Sequence, residues 1–457
     1  MGEGNRYALT LRERWAIWKQ DPLLGRVLRN TGYLFSGSTL GLALSMVQSI
    51  FAARLLGLDN FGVLGLITTF CSTVNRLFSF RMGELVVRYV SHYQSENRPD
   101  RAAAVVKAAA LAEGLTSIVA FIALVLLAPL AAVYFTKDAA YTPLYIFYGV
   151  IILGNLSTET STGVLQLARN FRSQAIINVG QAVLTALIIF VAFLTRGGLV
   201  EIISAYLIGK LILGIGPMVL AWNSMAPMLG ADWKRASLRL LPPLRELAGF
   251  AVSTNLSATL TLLVRDSELL WVGYFLTPAD VAYYKVAFGI INLMLMPITP
   301  FISTTYPEIS HSVSGQAWEQ LKRLLRRVTA IAGGVTGLMG AGILLFGPLM
   351  LLFYGWEYIP SYPALLILLA GYGVANIFFW NRTLLLSFNQ PNYAFRVMLW
   401  CGLIKVALGL WVIPHLGYFG AAALLSLYLA ISVGLLTLRG LRLIPMSQKS
   451  TTETLRH

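Results

Sequence analysis

Charge is scarce in this chain. Asp, Glu, Lys and Arg make up 12% of its 457 residues, about half the share of a soluble domain. Cysteine is nearly absent: Cys71 and Cys401 each sit inside an apolar run, which excludes a disulfide framework or a cysteine metal site. The four histidines, His92, His311, His415 and His457, lie at helix ends or in a tail and form no HExxH pair, and there is no Walker A motif. No catalytic residue, metal site, cofactor or ATP-hydrolysing domain is therefore expected. Nor is a cleavable signal peptide, because the first long apolar run starts near Thr31 and is long enough to span a bilayer.

What is present is apolar. Hydrophobic residues make up 57% of the chain, which reads as an all-α polytopic membrane protein. The net charge of +15 could serve nucleic acid, but the cations punctuate the apolar runs instead of forming one basic surface, so no nucleic-acid partner is expected. Runs long enough to cross about 30 Å of hydrocarbon fall near 31–55, 61–87, 104–129, 143–167, 174–195, 199–221, 248–276, 280–305, 327–354, 362–387, 393–413 and 418–438, twelve in all. Tails and alternate connections carry 25 Lys and Arg; the other connections carry little more than Arg54, Lys137 and Arg196. The positive-inside rule then predicts both termini cytoplasmic.

Comparing residue n with n+220 reveals an internal repeat: Pro143 meets Pro363, Gly197 meets Gly417 and Lys107 meets Arg327. Six helices repeating as six gives two lobes in the same orientation, related by an axis near the membrane normal. The expected organisation is a cytoplasmic or interfacial segment 1–30, lobe 1 at 31–221, a basic linker at 222–247, lobe 2 at 248–438 and a cytoplasmic tail at 439–457. Gly37 with Gly41, and Gly333 with Gly337, read as GxxxG pairs for close helix packing, and Pro297 and Pro300 as bends.

Ionisable residues inside membrane helices mark pathways, or else neutralise one another. The densest group is Arg265, Asp266 and Glu268 in the seventh run, where Arg265 with Glu268 is the plain pairing. Arg76, Arg81 and Glu84 lie in the second run, Glu113 in the third, Glu159 in the fourth, Lys210 in the sixth, Lys285 in the eighth, Arg382 in the tenth and Lys405 in the eleventh. Arg81, Glu113, Lys285 and Arg382 are near enough to an end to snorkel. Cations outnumber anions, and the set ignores the repeat: Arg265, Asp266 and Glu268 face Ser45, Met46 and Gln48. An asymmetric cationic lining on a duplicated scaffold points to one path for an anionic ligand between the lobes. A membrane glycan polymerase would need a larger outer loop than the dozen or so residues around Leu130 to Pro143.

The first junction reads Ala53-Arg54-Leu55-Leu56-Gly57-Leu58-Asp59-Asn60-Phe61-Gly62, and the second helix ends Met82-Gly83-Glu84-Leu85-Val86-Val87-Arg88-Tyr89-Val90-Ser91. This resembles the ARxLGxxxFG-like signature of polysaccharide flippases in the multidrug/oligosaccharidyl-lipid/polysaccharide exporter superfamily. The resemblance implies a bacterial plasma-membrane protein that moves an undecaprenyl-diphosphate-linked oligosaccharide to the outer leaflet by alternating access, among membrane lipids and beside polymerase and export components. Twelve spans look like the O-antigen and exopolysaccharide members. The family's cationic cavity would fall on Arg76, Arg81, Arg265, Lys285, Arg382 and Lys405, and H⁺ or Na⁺ coupling on Asp266, Glu268, Glu159 or Glu84. Glu84 departs from the pattern, standing where a small or apolar residue is expected. The alternatives are a cation-coupled multidrug exporter of the same superfamily, in which a carboxylate is the essential residue, and a non-transporting scaffold of a glycan assembly complex.

Overall fold

The computed structural model describes residues 22–79, 82–230, 233–243, 247 and 259–444, which are helical and contain no strand. Helix α1 (Pro22–Phe78) holds the first crossing and most of the second, broken at Gly57, and α2 (Met82–Ser95) completes the second. The third crossing is α3 (Pro99–Phe135). The fourth is in three pieces: α4 (Thr142–Gly149), α5 (Ile151–Gly154) and α6 (Thr158–Leu167). The fifth and sixth are α7 (Phe171–Leu194) and α8 (Leu199–Leu229). The seventh is described from residue 259 and contains a π-helical turn, Leu262–Asp266, before α9 (Glu268–Phe275).

The eighth crossing joins α10 (Pro278–Leu295) to α11 (Thr299–Ser314), and the ninth is α12 (Trp318–Tyr354). The tenth joins α13 (Tyr362–Ile377) to α14 (Asn381–Ser387). Helix α15 (Pro391–Arg442) supplies the eleventh and twelfth, broken at Gly417. These are the twelve crossings. Eight helical stretches are long and apolar enough to span a membrane on length and composition, and two of these hold a pair of crossings each.

Gly57 (φ 69°) and Gly417 (φ 63°) reverse the chain within what is otherwise continuous helix. A positive φ costs glycine nothing and an L side chain more than 1 kcal/mol, so glycine permits the turn. Other breaks recur in both halves. The second crossing stops at Ser79 and the eighth at 296–298; the fourth is interrupted at 155–157 and the tenth at 378–380. Pro297 lies within the eighth-crossing break, where its missing N–H interrupts the ladder, and Pro300 falls in the first turn of the helix that follows. Backbone freed from a helix inside a membrane is tolerated only against protein or a wet cavity, so paired breaks point to sites.

The apolar cores show how the lobes meet. One buried cluster is continuous from lobe 1 (Phe61, Leu64, Tyr145, Ile203) into lobe 2 (Val272, Tyr284, Tyr358, Leu425). It lies toward the face where Gly57, residues 276–277, residues 355–361 and Gly417 turn, which is the face poor in cations. Toward the basic face the cores are separate: Val86, Val106 and Met225 belong to lobe 1 alone, and Ile309, Leu325 and Leu384 to lobe 2 alone. The described lobes are thus packed together at the sparse face and parted at the basic one.

Two expectations need correction. A Cβ added at Gly41, Gly333, Gly334 or Gly337 would meet nothing within 4 Å, so these glycines do not mediate close helix packing. The close approaches lie elsewhere, at Gly371 against Ser426 and Gly214 against the Gly154 carbonyl. The connection expected around Leu130 to Pro143 is also shorter, because α3 continues to Phe135 and a 3-10 turn over Ala139–Tyr141 leads directly into α4.

Candidate functional site

The seam at the sparse face is built from cations set on helix C-termini. Arg54 of lobe 1 donates from Nε to the Phe353 carbonyl (2.6 Å) and from Nη2 to that of Leu352 (3.2 Å), the last turn of α12 in lobe 2. Lys137 donates to Tyr134 O (2.8 Å) and Tyr274 O (2.6 Å), tying the ends of α3 and α9 together across the lobes. Each cation meets carbonyls left without an N–H partner at the negative end of a helix dipole. Tyr358 donates to Ala53 O (3.3 Å) and stacks edge-on against Phe61, and a Cβ on Gly62 would collide with the Pro278 carbonyl. Lys285 lies in the same seam, its Nζ 3.8 Å above the Phe61 ring and 3.4 Å from Phe61 O. These contacts hold the sparse face shut.

In the seventh crossing, the π-turn sends three ionisable residues to three different partners. Arg265 turns into lobe 2, where Nε donates to the Tyr372 hydroxyl (3.3 Å) and the guanidinium lies over that ring. Asp266 turns to lobe 1 and pairs with Arg76 at 2.6 Å, with side chains 33% and 60% exposed. Glu268 turns away from both and forms a buried ion pair with Lys405, which also donates to Val264 O. The plain Arg265–Glu268 pairing is therefore not the one made. A π-turn widens the helix by one residue and re-aims the side chains that follow it, which is how one stretch serves three directions.

Apart from a crevice of about 830 Å³ at the Gly57 turn of the sparse face, two cavities lie beside the breaks inside the lobes. The larger, about 380 Å³, lies within lobe 2 beside the breaks of the eighth and tenth crossings. Arg265 and Arg382 line it with Tyr372, Tyr428, Asn376 and Asn381, and no carboxylate is among its described lining residues. The smaller, about 140 Å³, lies within lobe 1 beside the breaks of the second and fourth crossings, and Glu113 and Glu159 line it with Asn75, Ser117 and Thr158. Glu113, only 4% exposed, accepts N–H bonds from Glu159 (2.8 Å) and Thr160 (3.0 Å), holding the start of α6.

A profile of polysaccharide biosynthesis proteins matches residues 27–313, more than half of the chain. The chain belongs to the polysaccharide biosynthesis protein family. It is 22% identical over 350 residues to the inner membrane protein YghQ of Escherichia coli (strain K12), covering 76% of this chain and 97% of that one. Among solved structures, it is similar to the inward-facing conformation of a multidrug resistance MATE family transporter of the MOP superfamily. There the TM-score is 0.71 at 15% identity, over 88% of this chain and 94% of the other. It is also similar to the lipid II flippase MurJ in an inward closed conformation, at TM-score 0.68 and 15% identity, over 90% and 88%. The chain shares the fold of both structures.

For this family member, the ARxLGxxxFG-like stretch is the seam itself: Arg54 clasps α12, Gly57 makes the turn, Phe61 meets Tyr358 and Lys285, and Gly62 admits Pro278. Of the six cations proposed to line one path, Arg265 and Arg382 share a cavity, Arg76 pairs with Asp266 across the lobes, and Lys285 is in the seam. Lys405 is buried against Glu268, with no room for a bulky anion, and Arg81 lies outside the described residues. Among the carboxylates, Glu159 lines the lobe 1 cavity while Glu84 is exposed at the start of α2. The sequence alone gives Arg54 and Lys137 no role in the site, and it places Glu113 near a helix end without showing its partners. The available signals are asparagines inside apolar runs (Asn75, Asn155, Asn376, Asn381) and the isolated cations Arg54 and Lys137 on a face with little more than Arg196 besides.

Proposed function

We propose that this protein is a flippase that carries the diphosphate-oligosaccharide head group of a polyprenyl-linked glycan across the bacterial inner membrane, with both termini and the basic face cytoplasmic. The observation that carries the reading is the lobe 2 cavity, where two arginines stand among tyrosines and asparagines without a carboxylate among the described lining residues. Guanidinium groups fork onto phosphate oxygens, and the aromatic and amide groups suit sugar faces and hydroxyls. The lobes part toward the basic face, so a head group can enter from the cytoplasm while its prenyl tail stays in hydrocarbon. Moving negative charge outward across an inside-negative membrane is favoured by about 2.3 kcal/mol per charge per 100 mV, which supplies direction. The membership in the polysaccharide biosynthesis family and the fold shared with a lipid II flippase support the same reading.

One observation favours the second reading, a cation-coupled exporter of small molecules: the acidic cavity in lobe 1. Charge reversal separates the two. In a strain whose surface glycan depends on this protein, Arg265→Glu and Arg382→Glu are expected to reduce display at least tenfold with membrane abundance unchanged. Retention of display in both variants, with loss of small-cation efflux in Glu159→Gln, would overturn the flippase in favour of the exporter. Display indifferent to all three would leave a scaffold.

A further inference from the structure

The linker between the lobes is the part of the basic face that the proposed transport does not use. Residues 233–243 carry three cations, Lys234, Arg235 and Arg239, and no carboxylate. The described linker is bound to lobe 1. Lys107 of α3 donates to the carbonyls of Lys234 (3.3 Å) and Ala236 (3.4 Å), and Trp233, Ala236 and Leu241 pack into the apolar core of lobe 1 at that face. Two short 3-10 turns, Trp233–Arg235 and Leu238–Leu240, turn the tryptophan inward and leave all three cations exposed.

Helix α8 carries this surface to the depth of lipid head groups. Ile208, Ile215, Met218, Val219 and Trp222 recur at helical spacing and form an exposed stripe, while Gly214, Pro217, Ala221 and Met225 on the other side are buried in lobe 1. Lys210, also on that inner side, is within electrostatic range of Arg76 at the gap between the lobes, so the stripe looks away from the gap. At 1.5 Å per residue, Trp222 lies about 35 Å from the start of α8. That is just beyond about 30 Å of hydrocarbon, at the level where indole rings collect. There it meets the linker: Trp222 stands edge-on to Trp233 at 5.0 Å, and Lys234 Nζ sits 4.7 Å from the Trp222 ring centre. Among the described residues no carboxylate pairs with Lys234 or Arg239. A cation positioned by an aromatic ring keeps its charge for an outside partner.

We infer that Trp222, Lys234 and Arg239 form a site for the head group of an anionic phospholipid in the leaflet at the basic face, with its acyl chains along the stripe from Ile208 to Trp222. The charge is complementary: unpaired cations just outside a membrane helix attract anionic lipid. The apolar half of the site lies at hydrocarbon depth, which suits a lipid and excludes a soluble partner. Its place on the outer wall of lobe 1 separates it from the gap where Arg76 meets Asp266 and from the lobe 2 cavity. Because the linker is fixed on lobe 1 as far as Leu241, the site exists whichever way lobe 2 is placed. It requires a membrane surface at the basic face and does not rest on the flippase reading.

Binding is tested on the purified full-length protein in a neutral detergent at low ionic strength, by thermal unfolding with added phosphatidylglycerol or phosphatidylcholine. Phosphatidylglycerol is expected to raise the midpoint saturably, as a ligand of the folded state must, and phosphatidylcholine is not. Lys234→Gln with Arg239→Gln, both at exposed positions, should raise the half-saturating phosphatidylglycerol concentration at least tenfold, since each cation is worth about fivefold. Trp222→Ala should raise it about threefold and Trp222→Phe, which keeps a ring beneath Lys234, should not. Arg196→Gln, a cation of the sparse face, should leave the response intact. The site is refuted if the two lipids act alike, if the Lys234 and Arg239 variant responds like the parent, or if inorganic phosphate alone gives the same shift. It is refuted too if Arg265→Glu with Arg382→Glu abolishes the response, because the lipid then occupies the lobe 2 cavity. The flippase reading fails separately, by glycan display that survives Arg265→Glu.

Discussion

At the residue scale, two ion pairs contributed by neighbouring positions have opposite energetics. Glu268 and Lys405 have side chains only 3% and 9% exposed. A buried pair gains little net stability over apolar residues of the same size, but removing one partner strands a charge at about 3–5 kcal/mol. Arg76 and Asp266 are partly exposed and span the lobes, and an exposed pair that is solvated is worth roughly 0–1 kcal/mol. Lys405→Met or Glu268→Leu alone should therefore lower the unfolding midpoint sharply, and the two together should restore most of it. Asp266→Asn should scarcely move it. Recovery in the double variant with glycan display intact marks Glu268–Lys405 as structural; no recovery would mean that the carboxylate is wanted for itself. Asp266 is then the better candidate for a working group, because its loss frees the Arg76 guanidinium between the lobes without changing the fold.

At the element scale, the seam explains why the sparse face has cations at all. Arg54 and Lys137 are spent on the C-terminal carbonyls of α12 and of α3 and α9, and both bridge the lobes. Such bonds add to the apolar core at this face, and in the proposed transport cycle they can be exchanged for water as the lobes part. Arg54→Ala with Lys137→Ala should shift the protein toward a state open at the sparse face. Electron-electron distances between a spin label on lobe 1 near Gly197 and one on lobe 2 near Glu357 would lengthen, and an unchanged distribution would show that the apolar core alone holds the seam. The crossings were legible in the sequence because each needs about twenty apolar residues, and the turns at Gly57 and Gly417 were marked by glycine. The partners of Arg265, Asp266 and Glu268 were not legible. A π-turn has no composition of its own, and one extra residue in the turn redirects every side chain beyond it. The partners of Glu113 were not legible for a related reason: distance from a helix end does not reveal that the facing crossing is broken and offers two N–H groups.

At the scale of the whole molecule, the apolar core is continuous across the lobes toward the sparse face and divided toward the basic face, so the lobe 2 cavity is reached from one side. Basic loops are retained in the cytoplasm, so in the proposed orientation that side is the inner one. Thr299 and Ser432 line the cavity and offer small positions for a reporter. In a background carrying Cys401→Ser, with the buried Cys71 retained, Thr299→Cys and Ser432→Cys should react with a membrane-impermeant thiol reagent in inside-out vesicles and resist it in intact cells. Adding Arg54→Ala and Lys137→Ala should make both cysteines reactive from the outside, because weakening the seam populates the alternate state. Equal labelling from both sides in the parent background would mean that the cavity lies in a continuous pore, and a pore would dissipate the potential that drives the head group outward. Labelling from the outside alone would reverse the orientation and place the arginines where a head group leaves, not where it is taken up.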